Sequence, residues 1–184
     1  MGGNLALTFT VNSPITVNAL GVFNALGDGT INGSIHVVIY NTDLDVEVTP
    51  EVAFSGTYPL GGLGYDVFQS ITPVTLQAGS YEVDAVGFGS SDSNGNLNTG
   101  SSSGPILNNL GGAITFTGAA WDYSTTLDYP TTCPTCIGPV ASQFDAGTFA
   151  ATVPEPSFYE NLGAFGVGLG GLLFAVRRRR GAAA

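Results

Sequence analysis

The chain is unusual first for its lack of basic residues. It has 184 residues but no lysine, one histidine and four arginines, and these are consecutive: Arg177, Arg178, Arg179 and Arg180. All 14 acidic side chains therefore lie within the first 176 residues, which contain no Lys or Arg. Because proteins bind nucleic acid through Lys and Arg contacts to phosphates, this argues strongly against nucleic acid as a partner. It also argues against docking on anionic lipid headgroups.

Helix-forming residues are scarce beside Gly, Thr, Ser, Asn, Val and Phe, a composition that favours strands and turns. Short runs with strand-like alternation recur between turn signals, at 5–11, 15–23, 34–40, 52–54, 65–71, 80–88, 113–117 and 143–152. The sequence therefore predicts an all-β domain at 1–152, an antiparallel, jelly-roll-like β-sandwich. We expect a turn at Asn32-Gly33, a connection at 72–79 and an irregular segment at 121–138.

Residues 153–184 differ in character from the body. Val153-Pro154-Glu155-Pro156-Ser157 precedes an apolar run at 158–176, and the four arginines follow at once. As a helix the run would span roughly 28 Å, close to the thickness of a bilayer's hydrocarbon core. It therefore predicts a single transmembrane helix. Because positive charge stays cytoplasmic, the Arg-rich tail at 177–184 would stop transfer and leave the body on the far side of the membrane.

This order of Pro-Glu-Pro, apolar segment and arginine cluster resembles the PEP-CTERM sorting signal of exported proteins from Gram-negative bacteria, many of which make extracellular polysaccharide. The resemblance covers residues 153–180. It implies recognition by an exosortase, a membrane cysteine protease that would cut near the motif. It also implies that Pro154, Glu155, Pro156 and Ser157 are the sorting motif, and that the protein passes the inner membrane on its way to the cell surface or extracellular matrix.

A second resemblance concerns residues 2–90. Gly2-Gly3-Asn4-Leu5 with the strands that follow, and Pro73-Val74-Thr75-Leu76 with Tyr81, are similar to parts of a β-sandwich domain of exported bacterial proteins. Such domains resemble carbohydrate-binding modules in shape, and shape alone does not imply the ligand. The chain opens directly on a strand pattern, so we expect that an N-terminal signal peptide is missing from this sequence.

Cys133 and Cys136 are the only cysteines. In an exported chain a local disulfide is the default interpretation. A redox pair is less favoured because it needs a helix N-terminus and this segment is rich in proline. A zinc site would need four ligands, and the lone His36 is far away in the sequence.

Two polar features could carry chemistry. Asp92, Asn94 and Asn96 place oxygen atoms at alternate positions, which makes Ca²⁺ the one candidate cofactor. The EF-hand glycine and glutamate are out of place, so a solvated loop is favoured. His36 lies mid-strand, opposite the apolar face, and no nucleophile-elbow pattern surrounds a serine. A structural histidine is therefore favoured over a catalytic base.

Trp121, Tyr123 and Tyr129 form an aromatic group that would either stack on sugar rings or close the end of the sandwich core. No spacing selects a pair of carboxylates of the kind that glycoside hydrolases use. The sequence thus predicts a non-enzymatic cell-surface or matrix protein, processed through its C-terminal signal. The alternative is a module that binds extracellular polysaccharide, and a secreted glycan hydrolase comes third.

Overall fold

The computed structural model describes residues 3–60, 65–96, 107–130 and 144–154. This part of the chain contains eleven β-strands and one short 3₁₀ turn, Leu110–Gly112. The strands are β1 Asn4–Val11, β2 Ile15–Phe23, β3 Thr30–Asn41, β4 Val46–Glu47, β5 Val52–Thr57, β6 Asp66–Leu76, β7 Gly79–Val86, β8 Gly95–Asn96, β9 Ile114–Asp122, β10 Phe144–Asp145 and β11 Gly147–Thr152. The predicted all-β class is confirmed.

The strands form two main antiparallel sheets. The larger sheet has the order β4-β3-β7-β1-β9, with β5 also paired to β3, and the smaller has the order β11-β2-β6. A separate two-stranded ribbon joins β8 and β10. The predicted antiparallel sandwich is therefore confirmed. With six strands facing three, it is less symmetric than an eight-stranded jelly roll.

The core lies between the two sheets. In β1 the alternation predicted from the sequence places Leu5, Leu7, Phe9 and Val11 in the interior, each at most 6% exposed. The smaller sheet contributes Ile15, Val17, Leu20, Val22, Val67 and Leu76 to the same apolar cluster. Full burial of one such side chain contributes about 1.5–3 kcal/mol. Packing of these two inner faces is therefore what holds the sheets together.

The turn predicted at Asn32-Gly33 is wrong. Both residues lie inside β3, where the pairing with β5 shifts register between Ile31 and Ile35. The Asp92 carboxylate accepts the backbone N–H of Asn32 at 2.9 Å and that of Gly33 at 2.7 Å. A side chain from a distant loop thus replaces the missing ladder bonds, so the strand continues through residues that ordinarily mark a turn.

Two further predicted connections are strands in the structure. β6 continues to Leu76 through Pro73, where a connection was expected from residue 72. Among the described strands β6 pairs with β2 alone, and its isolated bridge from Val67 to Leu60 is far from Pro73. At Pro73 it is therefore an edge strand and tolerates a residue without an N–H. Likewise β9 runs on to Asp122, so Trp121 belongs to a strand and not to the irregular segment predicted at 121–138.

The outer face of the larger sheet is covered near the start of β1, although the alternation at 5–11 is typical of a strand with one solvent-exposed face. Asn4 and Ala6, which face away from the core, are both fully buried. The Asn4 amide Nδ2 donates a hydrogen bond to the Asp128 carbonyl, and the Tyr129 ring packs on Tyr40 with 5.8 Å between centroids. The segment after β9 therefore crosses this face.

In the part of the chain that the structure describes, no helix is long and apolar enough to cross a membrane. The transmembrane helix predicted at 158–176 and the arginines at 177–180 lie outside that part and stay predictions. The chain divides into two compact units, Met1–Val153 and Pro154–Ala184. The sandwich belongs to the first of them.

Candidate functional site

The three predicted glycan-contacting aromatics do not share one surface. Trp121 pairs with Leu5 on the core side of β9 and is partly buried against the core. Tyr123 is 77% exposed and meets the Trp121 ring edge-on, with centroids 4.8 Å apart. Tyr129 lies on the opposite face of the sheet, against Tyr40. Only Trp121 and Tyr123 can therefore contact one ligand together.

The predicted calcium loop contributes a side chain, Asp92, that hydrogen-bonds the backbone of β3. Asp92 is 6% exposed, and its two carboxylate oxygens accept the backbone amides of Asn32 and Gly33. Asn94 Nδ2 donates to the Gly95 carbonyl at 3.1 Å. The structure does not describe the side chain of Asn96. Within the described residues, no three His, Cys, Asp or Glu side chains lie close enough together to hold a metal ion.

His36 connects a serine to a glutamate on the outer face of β3. Its Nε2 lies 3.1 Å from the Ser34 hydroxyl, and its Nδ1 contacts Glu51 Oε1. This is the order of contacts found in Ser-His-acid triads, and alternation along the strand places Ser34 and His36 side by side. However, the His36 and Glu51 side chains are 36% and 48% exposed, so solvent screens the contact. Exposed partners of this kind are typical of surface hydrogen-bond networks.

A cavity of about 280 Å³ follows the free edge of β11, and we call it the edge cleft. Its lining residues come from both faces of β11, from β1, β6, β9 and β10, and from the residues before β9. The groups that give it its character are four phenylalanines and two aspartates: Phe68, Phe116, Phe144, Phe149, Asp66 and Asp145. Gly21 keeps the neighbouring position of β2 open, because a Cβ there would collide with Phe68. The edge cleft is thus apolar with two acidic groups.

The two aspartates of the edge cleft both have raised pKa values. Burial raises the pKa of Asp66 to about 6. Burial, and after it the charge of Asp66, raises the pKa of Asp145 to about 7. A carboxyl group whose pKa is raised towards neutral pH is suited to act as a general acid. Sequence reasoning missed this pair because the residues are distant along the chain, and neither lies in a recognisable motif.

A second acidic pair lies on the outer face of the larger sheet. Glu82 and Asp84 alternate on β7 and are 2% and 0% exposed. Burial, with a smaller effect of Asp122, raises the pKa of Glu82 to about 8. Burial and the neighbouring Glu82 raise the pKa of Asp84 to about 9. The Asn4 amide acts in the opposite direction on Asp84, yet neither Asp84 oxygen accepts a well-aligned hydrogen bond from a described residue.

The sorting segment begins where the last strand ends. Thr152 still pairs with Thr16 of β2, and Val153 and Pro154 follow without strand structure. Glu155, Pro156 and Ser157 lie outside the described residues, as do Cys133 and Cys136. The proposed disulfide therefore stays a prediction. Along the sequence, the predicted exosortase motif therefore follows within a few residues of β11.

Residues 152–180 match the PEP-CTERM protein-sorting motif. The match includes the predicted sorting motif and all four arginines, so the expected sorting signal is confirmed. The signal is that of an exported protein sorted to the cell surface and processed by an exosortase. No curated protein and no solved structure matches the chain.

Proposed function

Because the chain carries a PEP-CTERM signal, we propose that its β-sandwich is a non-enzymatic body delivered to the cell surface or extracellular matrix. The observation that carries the proposal is the junction at Thr152, where the last paired residue of β11 is also the first residue of the sorting motif. The folded unit thus ends where the signal starts, as suits a body that is released or re-attached after cleavage. An acidic body without Lys or Arg also stays soluble through self-repulsion.

The intact mass of the full chain, recovered from a host with its exosortase and from one without it, tests the processing step. We expect a C-terminus near Pro156 in the first host and an intact Arg-rich end in the second. Glu155→Ala should prevent the cut, whereas Glu47→Ala, which removes one exposed acid from the body, should leave it unchanged. An intact C-terminus in the host with the exosortase would contradict the proposal.

Among the described residues, two groups of side chains are where we would test for enzymatic activity. The first is the chain of contacts from Ser34 through His36 to Glu51, and the second is the aspartate pair of the edge cleft. We expect that a fluorophosphonate probe will not label Ser34, and that the full chain will release no sugar from host polysaccharide. Labelling that disappears in Ser34→Ala, or sugar release that disappears in Asp145→Asn, would overturn the non-enzymatic proposal.

Binding of extracellular polysaccharide is the second candidate function. It is supported by the exposed ring of Tyr123 against Trp121, because paired aromatic faces and edges suit stacking on sugars. Titration with host polysaccharide should then shift the fluorescence of Trp121, the only tryptophan. Tyr123→Ala should remove the shift, and Tyr129→Ala, on the other face of the sheet, should preserve it. If the fluorescence of Trp121 does not change during the titration, the polysaccharide-binding proposal is wrong.

A further inference from the structure

The smaller sheet ends in a strand whose outer edge has no partner among the described strands. β11 is that strand, and it pairs with β2 alone. The Phe23 N–H donates to the Ala146 carbonyl, and the same register continues with Gly147 opposite Val22. Because hydrogen-bonded and non-hydrogen-bonded pairs alternate in an antiparallel ladder, Gly147 and Phe149 direct their backbone N–H and C=O groups to the free edge.

The sequence of β11 does not protect this edge. Proteins commonly block a free edge with charged side chains, proline or a bulge. The strand Gly147–Thr152 contains no charged residue and no proline, and its register shift lies between Ala150 and Ala151, beyond Phe149. By contrast β6, at the other edge of the same sheet, carries Pro73. β11 is therefore the edge that suits the addition of another strand.

The edge cleft has room for side chains on both faces of an added strand. Phe149 packs against the core, whereas Thr148 lies on the outer face beside Phe68, above Gly21. Among the described strands β11 packs against β1 and β7, and no strand of the smaller sheet lies beyond it to face β9. The ring of Phe116 on the inner face of β9 is accordingly only half-buried. A strand added to β11 would cover this ring and direct alternate side chains to the two faces.

Two carboxyl groups lie near the start of β11 and line the same cleft. Asp66 pairs with Phe23, whose N–H bonds to Ala146, the residue after Asp145. Asp145 is 9% exposed, and Asp66 Oδ1 is buried without a hydrogen-bond partner among the described residues. Ionised carboxylates that are buried need a cationic partner, and the sandwich has no Lys or Arg to offer one. The cation must therefore come from another molecule.

We propose that the free edge of β11 binds an extended segment of another protein as an added strand, with apolar side chains over β9 and a Lys or Arg beside Asp66 and Asp145. Main-chain hydrogen bonds to Gly147 and Phe149 would supply affinity, and the two faces of the edge cleft would select alternate side chains. A second copy of the sandwich lacks Lys and Arg and fits this edge less well. The partner would join the body at the cell surface, which goes beyond its sorting.

The test measures binding of a synthetic peptide to the full chain in mild detergent. The peptide alternates three valines with two threonines, has one lysine at each end, and carries fluorescein for anisotropy. The titration is made at about pH 8, where both carboxyl groups are ionised. About 0.15 M NaCl limits charge attraction to a Debye length of about 8 Å. We expect saturable binding of one peptide per chain.

Variants and control peptides decide where and how the peptide binds. Asp145→Asn should raise Kd about tenfold, because one charge-assisted hydrogen bond is lost, whereas Asp45→Asn should keep the wild-type Kd. A peptide N-methylated at every valine and threonine retains both charges but cannot donate to the edge, so it should bind at least about tenfold more weakly. A peptide with glutamate at both ends should also bind more weakly than the lysine peptide.

The proposal is wrong if the lysine peptide does not bind, or if either control peptide binds equally well. Unchanged binding by both Asp145→Asn and Asp66→Asn would also overturn it. A dimer in sedimentation that the lysine peptide does not dissociate would assign the edge to a second copy and contradict the proposal. Should Asp145→Asn not fold, Asp66→Asn and the two control peptides still decide the outcome.

Discussion

Replacing Asp145 by asparagine should remove part of the pH dependence of the free energy of unfolding. Asp145 is 9% exposed, and burial together with Asp66 raises its pKa to about 7. In the unfolded chain the same group loses its proton at about pH 3.9. Between these two values the native protein holds a proton that the unfolded chain has released. Rising pH therefore favours the unfolded state in this window.

The magnitude follows from the width of the window. One retained proton changes the free energy of unfolding by about 1.4 kcal/mol per pH unit. From about pH 4 to about pH 7 the loss is about 4 kcal/mol, a large share of a typical domain stability of 5–15 kcal/mol. Above that range Asp145 is ionised in both states and its contribution is constant. Asparagine has nearly the same shape and cannot ionise, so the Asp145→Asn curve should be flatter by this slope.

Urea unfolding of the full chain in chelator, followed by Trp121 fluorescence at several pH values, measures both curves. Asp45→Asn is the matched control, because it removes an exposed carboxylate and should retain the wild-type slope. Asp66→Asn should move the upper end of the window to lower pH, since it removes the charge that acts on Asp145. Parallel wild-type and Asp145→Asn curves would refute the reasoning.

Two backbone contacts give further predictions. Gly87 and Gly56 both have positive φ, but a Cβ at Gly87 would collide with the Ser34 carbonyl, whereas the space at Gly56 is open. Gly56→Ala should therefore lower the free energy of unfolding by about 1 kcal/mol through backbone strain, and Gly87→Ala should lower it by about 1–3 kcal/mol more. Urea unfolding midpoints measure both losses. Equal losses would contradict the predicted clash at Gly87. Asp92→Ala removes the acceptor of two backbone amides in β3 and should lower the free energy of unfolding by about 2–3 kcal/mol. Added calcium should not restore this stability. A loss of stability that appears only when calcium is present would instead indicate that Asp92 is a metal ligand.

The strands and the C-terminal sorting signal could both be predicted from residues that are neighbours in the sequence. β2 begins and ends where its alternation predicts, and β1 differs by a single residue, because a period of two is a local property. The sorting signal at 152–180 is equally local, since its proline motif, apolar run and arginines are contiguous. The turn predicted at Asn32-Gly33 failed because a side chain distant in the sequence, Asp92, accepts the backbone N–H groups of these two residues within β3.

What the sequence alone determined is the class of the body, the face of β1 that enters the core, and the signal that directs the protein to export. Only the tertiary structure decided which side chains meet. It brought Asp66 to Asp145 in the edge cleft, and it laid the segment after β9 over Asn4 and Tyr40. The physical reason is that antiparallel pairing joins residues far apart in the chain, and hydrophobic alternation specifies a buried face without specifying the neighbour across it.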